Sequence, residues 1–461
     1  MSRRSNFAHS LTAFTLAVAA CNHSGLPLEE DSGCDPGTHR VGGVCLADSP
    51  GGATCGPGTQ LVGTECLPAP GDGGVPSTDG GGRDLGARTP DFGSNPDLAA
   101  IPQGDRATSW QIDPAHSGAQ PNTRLQPPLT RVWSYNTGGP VGYPIVSDGR
   151  VFITSGISNT AGSRITALDS ETGSRLWGPI SLGGAYAGIA TASYDVTLAR
   201  LFVMNGDALV EALNPTNGNP IWTKQLGSFV SEIGPLVSQS GLLFVPQEWN
   251  IVVLDGTSGA TRWTGAEGAS PMAAAVTPFA VYTCAVGGGV QASDPSTGAQ
   301  LWVHSANGDG GGGCFTMLGG NRLYAYDWAD PPLMLDPSNG NVEGGFTGPV
   351  APAVDAGRAY FLIGKNLEAH DVNNNAVLWT FAGDGTLDTQ PIAGGGYVYV
   401  GGSSGMLYAV KDGQVAYSDT LPSPLTAANT FVNGVAPSGF AIAEDKLFVS
   451  AGTILYAYAS K

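Results

Sequence analysis

An all-β fold, an eight-bladed propeller of four-stranded antiparallel blades closed by an N-terminal strand, follows from three observations on this sequence. One phrase recurs between Ile165 and Tyr458: a short apolar strand ending in Asp, a Gly turn, and Trp four residues after the Gly. Eight copies occur, so residues 130–461 divide into about 42 residues per copy, the length of one four-stranded blade. The last copy, 454–458, lacks a Trp strand, whereas one such strand, 130–135, stands alone at the front. If the front strand becomes the outer strand of the last blade, the ring closes without an open sheet edge.

The clearest copies are 165–169 with Gly173 and Trp177, 209–214 with Gly218 and Trp222, 251–255 with Gly259 and Trp263, and 290–294 with Gly298 and Trp302. Later copies decay. Residues 333–336 reach Gly340 but have Gly344 where Trp is due, 367–371 have Asn375 for Gly before Trp379, and 407–411 precede Gly413 and Tyr417. Within one copy the alternation of apolar residues bounded by Gly, Pro, Asn and Asp predicts strand A at 235–238, B at 242–245, C at 251–254 and D at 261–264. No convincing amphipathic helix follows residue 20. The Gly fits a tight C–D turn with φ > 0, which costs a Cβ-bearing residue about 1 kcal/mol or more. The Trp four residues on is expected between adjacent blades, a burial worth roughly 3 kcal/mol, so these Trp residues read as structural.

The phrase resembles the pyrroloquinoline-quinone-like β-propeller repeat, shared by quinoprotein dehydrogenases and by outer-membrane-assembly lipoproteins that use eight blades without a cofactor. Residues 109–118, Ser-Trp-Gln-Ile-Asp-Pro-Ala-His-Ser-Gly, followed by 127–129 and Trp133, resemble the lead-in to such propellers. The resemblance covers 106–461 and is specific for fold and poor for activity.

What precedes the propeller addresses it to an envelope. Arg3 and Arg4 lead an apolar stretch of ten residues, 11–20, too short to span a bilayer and shaped like a signal-peptide core. Residues 18–21, Val-Ala-Ala-Cys, resemble the bacterial lipobox, which implies cleavage after residue 20 and lipidation of Cys21, against the alternative of an ordinary secretory signal. Several acyl chains at about 0.8 kcal/mol per buried CH₂ anchor stably. Asn22 is not the Asp that the lipoprotein family associates with inner-membrane retention, so the resemblance implies the outer membrane, on its periplasmic or cell-surface side.

After the short segment 21–33, residues 34–66 hold two copies of Cys-x-Pro-Gly-Thr-x-x-Val-x-Gly-x-Cys. Four Cys allow three connectivities, and the repetition favours Cys34 with Cys45 and Cys55 with Cys66. Each bridge could contribute roughly 3 kcal/mol to a segment with almost no core. The spacing is too long for a zinc knuckle, and no metal is expected. Residues 67–105 are Gly, Pro, Asp, Ser and Ala with scarcely an apolar cluster, a composition that predicts a flexible tether.

Net charge is −18, and about −20 once the signal with its two Arg is removed, which disfavours phosphate backbones and argues against a nucleic-acid partner. Catalytic constellations are missing from the sequence: six His, and no His-Glu-x-x-His, Gly-x-Ser-x-Gly or Cys-x-x-Cys. Residues 308–313 match Gly-x-Gly-x-x-Gly, but between two strands with no helix to receive a phosphate. The quinoprotein dehydrogenases of the resemblance use a disulfide between neighbouring Cys, a carboxylate base and Ca²⁺ beside the quinone. No adjacent Cys pair exists here, so neither pyrroloquinoline quinone nor Ca²⁺ is expected to bind.

If strands A and C run one way and B and D the other, the B–C and D–A loops share one rim. That rim gathers Trp249 and Glu248, Trp328 with Asp327 and Asp330, and Asp309, Asp384 and Asp388. Trp249 and Trp328 break the Gly-plus-four rule, so they either dock a protein segment or glycan or cap blade edges. Cys284 and Cys314 fall on the same rim of adjacent blades, as a disulfide or as two buried thiols. The expected role is a monomeric, lipid-anchored binding or scaffold module of the cell envelope. A quinoprotein oxidoreductase and a glycan-processing propeller enzyme are the alternatives.

Overall fold

The Asp-x-x-Thr-Gly phrase makes a turn because its carboxylate is used three times. In the computed structural model Asp169 Oδ1 accepts from the amides of Glu171 and Thr172 and from the Thr172 hydroxyl, while Gly173 N donates to Asp169 O at 2.9 Å. The Thr172 hydroxyl, first among these bonds, holds the Asp169 carboxyl below its ordinary range. Asp255 with Ser258 and Asp294 with Thr297 repeat the arrangement.

The structure describes residues 104–461 apart from 158–161, 185–189, 228–233, 248–249, 266–270, 286–288, 306–313, 328–331, 349, 356 and 427–438, together with four short strands nearer the N-terminus. The chain divides into two units, Met1–Gly86 and Ala87–Lys461. In the first, Thr38–Val41 pairs with Val44–Ala47 and Thr59–Val62 with Glu65–Pro68, two antiparallel hairpins. Arg40 opposes Cys45 as Leu61 opposes Cys66, so the sequence repeat is a structural repeat. Cys21, Cys34 and Cys55 lie outside the described residues.

The second unit is an eight-bladed propeller of four-stranded antiparallel blades. Blade 1 is Ile145–Ser147, Arg150–Gly156, Ser163–Asp169 and Arg175–Gly183, strands A to D from the axis outward. Blade 3 is Val237–Gln239, Leu242–Pro246, Ile251–Asp255 and Thr261–Thr264, so strand A begins two residues later than the alternation predicts. Strands A to C are apolar and buried, whereas strands D alternate exposed and half-buried residues, as at Pro220–Gln225.

Closure is made by the front strand. Leu129–Asn136 pairs antiparallel with Ile454–Ser460 as strand D of blade 8, with Trp133 opposite Ala457. Arg131 fastens it further through Asp419 at 2.5 Å and the Tyr458 hydroxyl at 3.1 Å.

Each repeat Trp packs on the next blade, over the Gly of that blade's C–D turn. A Cβ on Gly173 would lie 2.6 Å from Trp133 Cδ2, one on Gly218 2.8 Å from Trp177 Cε3, and one on Gly259 2.8 Å from Trp222 Cε3. Real Cβ atoms do not approach so closely, so the Gly serves both its φ, near +70° at these turns, and its neighbour's ring. The indole N–H of Trp133, Trp177, Trp222, Trp263 and Trp302 each donates to a turn carbonyl of the following blade at 2.9–3.0 Å. The two decayed positions are one event. Blade 5 has Gly344 in place of Trp, and the turn it would press on, in blade 6, is the one with Asn375 in place of Gly, at φ +58°.

Candidate functional site

Strands A and C run toward one mouth of the ring, B and D toward the other, so the A–B and C–D turns gather at one end of the axis and the B–C and D–A connections at the opposite end. The first mouth is closed by the chain's own lead-in. From residue 107 to 120 the backbone visits the innermost strand of every blade in order. Ala107 exchanges two hydrogen bonds with Val146 of blade 1, Thr108 O accepts from Tyr194 N of blade 2 at 2.8 Å, and Ser109 Oγ donates to Leu236 O of blade 3 at 3.3 Å. Pro114 O accepts from Val276 N of blade 4, Ala115 O from Leu318 N of blade 5, Ser117 O from Val354 N of blade 6, and Gly118 O from Ala393 N of blade 7. Gln120 Nε2 reaches Ile442 O of blade 8 at 3.4 Å. Ala119–Gln120 also adds a parallel fifth strand to blade 7.

This hub folds by short-range bonds. Thr108 N donates to Ile112 O at 2.7 Å, and Gly118 N to Gln111 O at 3.1 Å. Gln111, Ile112 and His116 take φ of +53°, +78° and +57°, a conformation the surrounding contacts must hold against its cost. Gly118 passes so close to Ala353 that a Cβ would sit 2.9 Å from its Cα. Trp110 and His116 fill the centre edge to face at 5.1 Å, and His116 Nδ1 lies 2.8 Å from Trp110 O. Burial lowers His116 to about 4, and burial raises Asp113 to about 6 although Ser117 donates to its carboxylate from both N and Oγ. The residues 109–118 were legible as a lead-in, but nothing in their types marks them as the axial closure, because most of the bonds use main-chain carbonyls.

Of the rim residues expected from strand polarity, three fall within described strands and connections at the opposite mouth. Asp384 and Asp388 lie there, between strand D of blade 6 (Val377–Phe381) and strand A of blade 7 (Ile392–Gly394). Their carboxylates hold the rim together. Asp384, exposed, accepts from Ser404 Oγ and from the Thr386 hydroxyl and amide, bonds that outweigh the local loss of hydration and leave its carboxyl below the ordinary range. Asp388 pairs with Lys365 of the blade 6 B–C turn at 2.6 Å. Asp327 ends strand B of blade 5, its backbone opposite Cys314. Glu248, Trp249, Asp309, Trp328 and Asp330 lie outside the described residues.

Blades 4 and 5 are joined at this mouth in a way no repeat position announces. The strand A region of blade 4 is split: Ala275–Val276 stays in its own blade, while Pro271–Ala273 pairs parallel with strand A of blade 5, Cys314–Gly319. The Thr316 hydroxyl sits in the split, accepting from Ala275 N at 2.9 Å and donating to Tyr282 O at 2.8 Å.

The family model described as outer membrane protein assembly factor BamB matches residues 185–305 and 286–459. A quinoprotein ethanol dehydrogenase of Pseudomonas putida is 26% identical over 186 residues, 38% of this chain, and the match spans only 25% of that enzyme's length. Among solved structures, BamB from Moraxella catarrhalis superposes with a TM-score of 0.54 at 18% identity, covering 72% of this chain and 98% of that one. Quinohemoprotein alcohol dehydrogenase from Comamonas testosteroni gives 0.58 at 12% identity, covering 77% and 81%. These structural likenesses carry the fold alone.

The quinone and Ca²⁺ of the dehydrogenases need carboxylates converging beside a stacking platform. Among the described residues no three His, Cys, Asp or Glu side chains converge to hold a metal ion, and the one buried carboxylate of the hub, Asp113, is engaged by Ser117.

Proposed function

We infer the role of this chain from one membership and one geometry: it belongs to the pyrroloquinoline-quinone-like propeller repeat family whose model is described as outer membrane protein assembly factor BamB, and its lead-in stops the axis at the mouth formed by the A–B and C–D turns. We propose a non-catalytic scaffold of the bacterial cell envelope, lipid-anchored at Cys21 to the outer membrane and docking a segment of an envelope protein on the mouth formed by the B–C and D–A connections. The observation that carries the reading is the hub. Residues 107–120 bond to all eight inner strands, so the A–B mouth is committed to holding the ring, and a partner is left the other. On the strand polarity, Trp249 and Trp328 belong to the connections of that mouth, and aromatic anchors beside the Asp and Glu of the same connections would suit a protein segment with basic flanks.

Capture from a detergent extract of envelopes with the full-length protein tests this. Recovery of a defined envelope protein by the wild type, and its loss with Trp249→Ala/Trp328→Ala, is expected. Equal recovery by both would refute the docking mouth, and retention of a polysaccharide instead would make the partner a glycan. A Cys21→Ser form should leave the membrane fraction.

A quinoprotein oxidoreductase is the second reading, favoured by the match to the Pseudomonas putida ethanol dehydrogenase. Pyrroloquinoline quinone with Ca²⁺ producing a visible absorption band and alcohol-dependent dye reduction would establish it in place of the scaffold.

A further inference from the structure

We propose that Cys284 and Cys314 form a disulfide that staples blade 4 to blade 5 at the mouth formed by the B–C and D–A connections. The assignment is independent of what that mouth binds.

Three observations converge on the pair. Cys284 lies near the end of strand B of blade 4, Val281–Ala285, is 3% exposed, and has its sulfur in a disulfide. In the unit Ala87–Lys461 the other cysteine is Cys314, at the start of strand A of blade 5. The register of the seam brings the two positions together. Thr316 Oγ donates to Tyr282 O at 2.8 Å, and strand B of blade 4 runs toward the mouth while strand A of blade 5 runs away from it. Two residues onward from Tyr282 is Cys284, and two residues back from Thr316 is Cys314. Residues two apart on a strand share a face, so the register that sets 316 against 282 sets 314 against 284.

The site is also where the two blades already share strands. Pro271 of the split strand pairs with Cys314, so a bridge from Cys314 to Cys284 ties the three segments at one point. The covalent loop it closes runs from 284 to 314 and contains two glycine runs, Gly287-Gly288-Gly289 just after its first foot and Gly310-Gly311-Gly312-Gly313 just before its second. Such segments lose the most entropy on ordering, and a covalent tie at both feet reduces that loss.

The chemistry balances as thiol–disulfide exchange with a disulfide-carrying protein or small-molecule oxidant. One cysteine thiolate attacks a sulfur of the oxidant's disulfide and expels the other as a thiolate; the second cysteine then attacks the mixed disulfide and expels the remaining sulfur. Two thiol protons pass to the two sulfurs of the oxidant, which leaves as a dithiol, and two electrons pass with them. An extracytoplasmic compartment supplies such oxidants.

The wild-type, full-length chain decides the matter. It is isolated without reductant, unfolded in the presence of N-ethylmaleimide, and cut before Asp residues, since no Lys or Arg lies between 263 and 321 to separate the two cysteines with trypsin. The expected product is a pair of peptides carrying Cys284 and Cys314, joined and unlabelled, that separates on reduction. Labelled Cys284, or Cys284 joined to any of Cys34, Cys45, Cys55 or Cys66, would overturn the assignment. The staple's role is read by chymotrypsin on the native protein: on the order of tenfold faster cleavage within 285–313 is expected after reduction and for Cys314→Ala alike. Unchanged cleavage in both would mean that the bond braces nothing.

Discussion

At one mouth of the propeller a single stretch of fourteen residues, 107–120, bonds to all eight blades, through its backbone except at blades 3 and 8, where Ser109 Oγ and Gln120 Nε2 reach across, and buries Trp110 and His116 against each other; at the other, the described carboxylates tie one loop to the next. The difference teaches where stability and recognition are kept. Bonds to every blade, six of them made by the main chain, make the hub intolerant of change, since displacing it would strip partners from inner-strand groups that have no access to water. Loops joined by ion pairs and Asx turns tolerate replacement, because each such bond is exposed and worth about 1 kcal/mol or less.

The comparison breaks most readily at the hub. Trp110→Ala should cost about 4 kcal/mol, read as a drop in the denaturant midpoint at unchanged m-value; a loss below about 1 kcal/mol would mean that the hub is not part of the cooperative unit.

Next in size are the blade seams. Trp222→Ala should cost about 3 kcal/mol. Gly259→Ala should cost at least as much as the φ penalty of about 1 kcal/mol, plus the clash of its Cβ with Trp222, and the second contribution should vanish when Trp222 is already Ala. Additive losses in that double-mutant cycle would contradict the seam geometry.

Two buried ionisable groups make the hub sensitive to pH in opposite directions. His116 titrates at about 4 in the folded chain and near 6.5 when free, so its contribution is full above pH 6.5 and falls as pH drops to 4, by about 3 kcal/mol. Asp113 titrates at about 6 when folded and near 3.8 when free, so stability is gained over almost the same window as pH drops from 6 to 4. The wild type should therefore be nearly flat in this range with respect to the hub. Asp113→Asn should expose the His116 slope, with the midpoint falling steadily from pH 6.5 to 4; a flat profile for that variant would show that His116 is not buried as a neutral ring.

The smallest effect is expected where the repeat has decayed. Asn375→Gly restores the phrase in a turn that faces no Trp, and should change stability by roughly 0.5 kcal/mol or less, measured by the same midpoint. A gain comparable to the other seams would mean that something other than a Trp presses on that turn.

Much of this architecture was legible because its determinants are local and periodic. Gly-plus-four Trp marks most seams, and the strand at 130–135 announces the closure, in which Trp133 pairs with Ala457 and Arg131 with Tyr458 while Val132 sits at a bulge. The substitutions at Gly344 and Asn375 read as separate decays, yet they are the two halves of one contact, which becomes visible only when Trp of one blade is placed over Gly of the next. The hub was recognised as a lead-in without its role, since Thr108, Pro114, Ala115, Ser117 and Gly118 act through carbonyls that every residue possesses. The split strand at Ala274 escaped for a related reason: it depends on one hydroxyl, Thr316, standing in for a ladder bond. At the opposite mouth, Asp384 and Asp388 fell where strand polarity puts them, but their pairing with Ser404 and Lys365 joins residues of different turns and blades and has no sequence signature.

The central claim, that the hub mouth holds the ring and the opposite mouth meets the partner, is tested most directly by comparing two variants in one capture experiment on envelope extract. Trp249→Ala/Trp328→Ala should keep the wild-type unfolding midpoint and lose the captured protein, while Thr257→Ala, on a C–D turn of the hub side where only its backbone is engaged, should keep both. Retained capture by the double variant, or loss of capture by Thr257→Ala at an unchanged midpoint, would contradict the account.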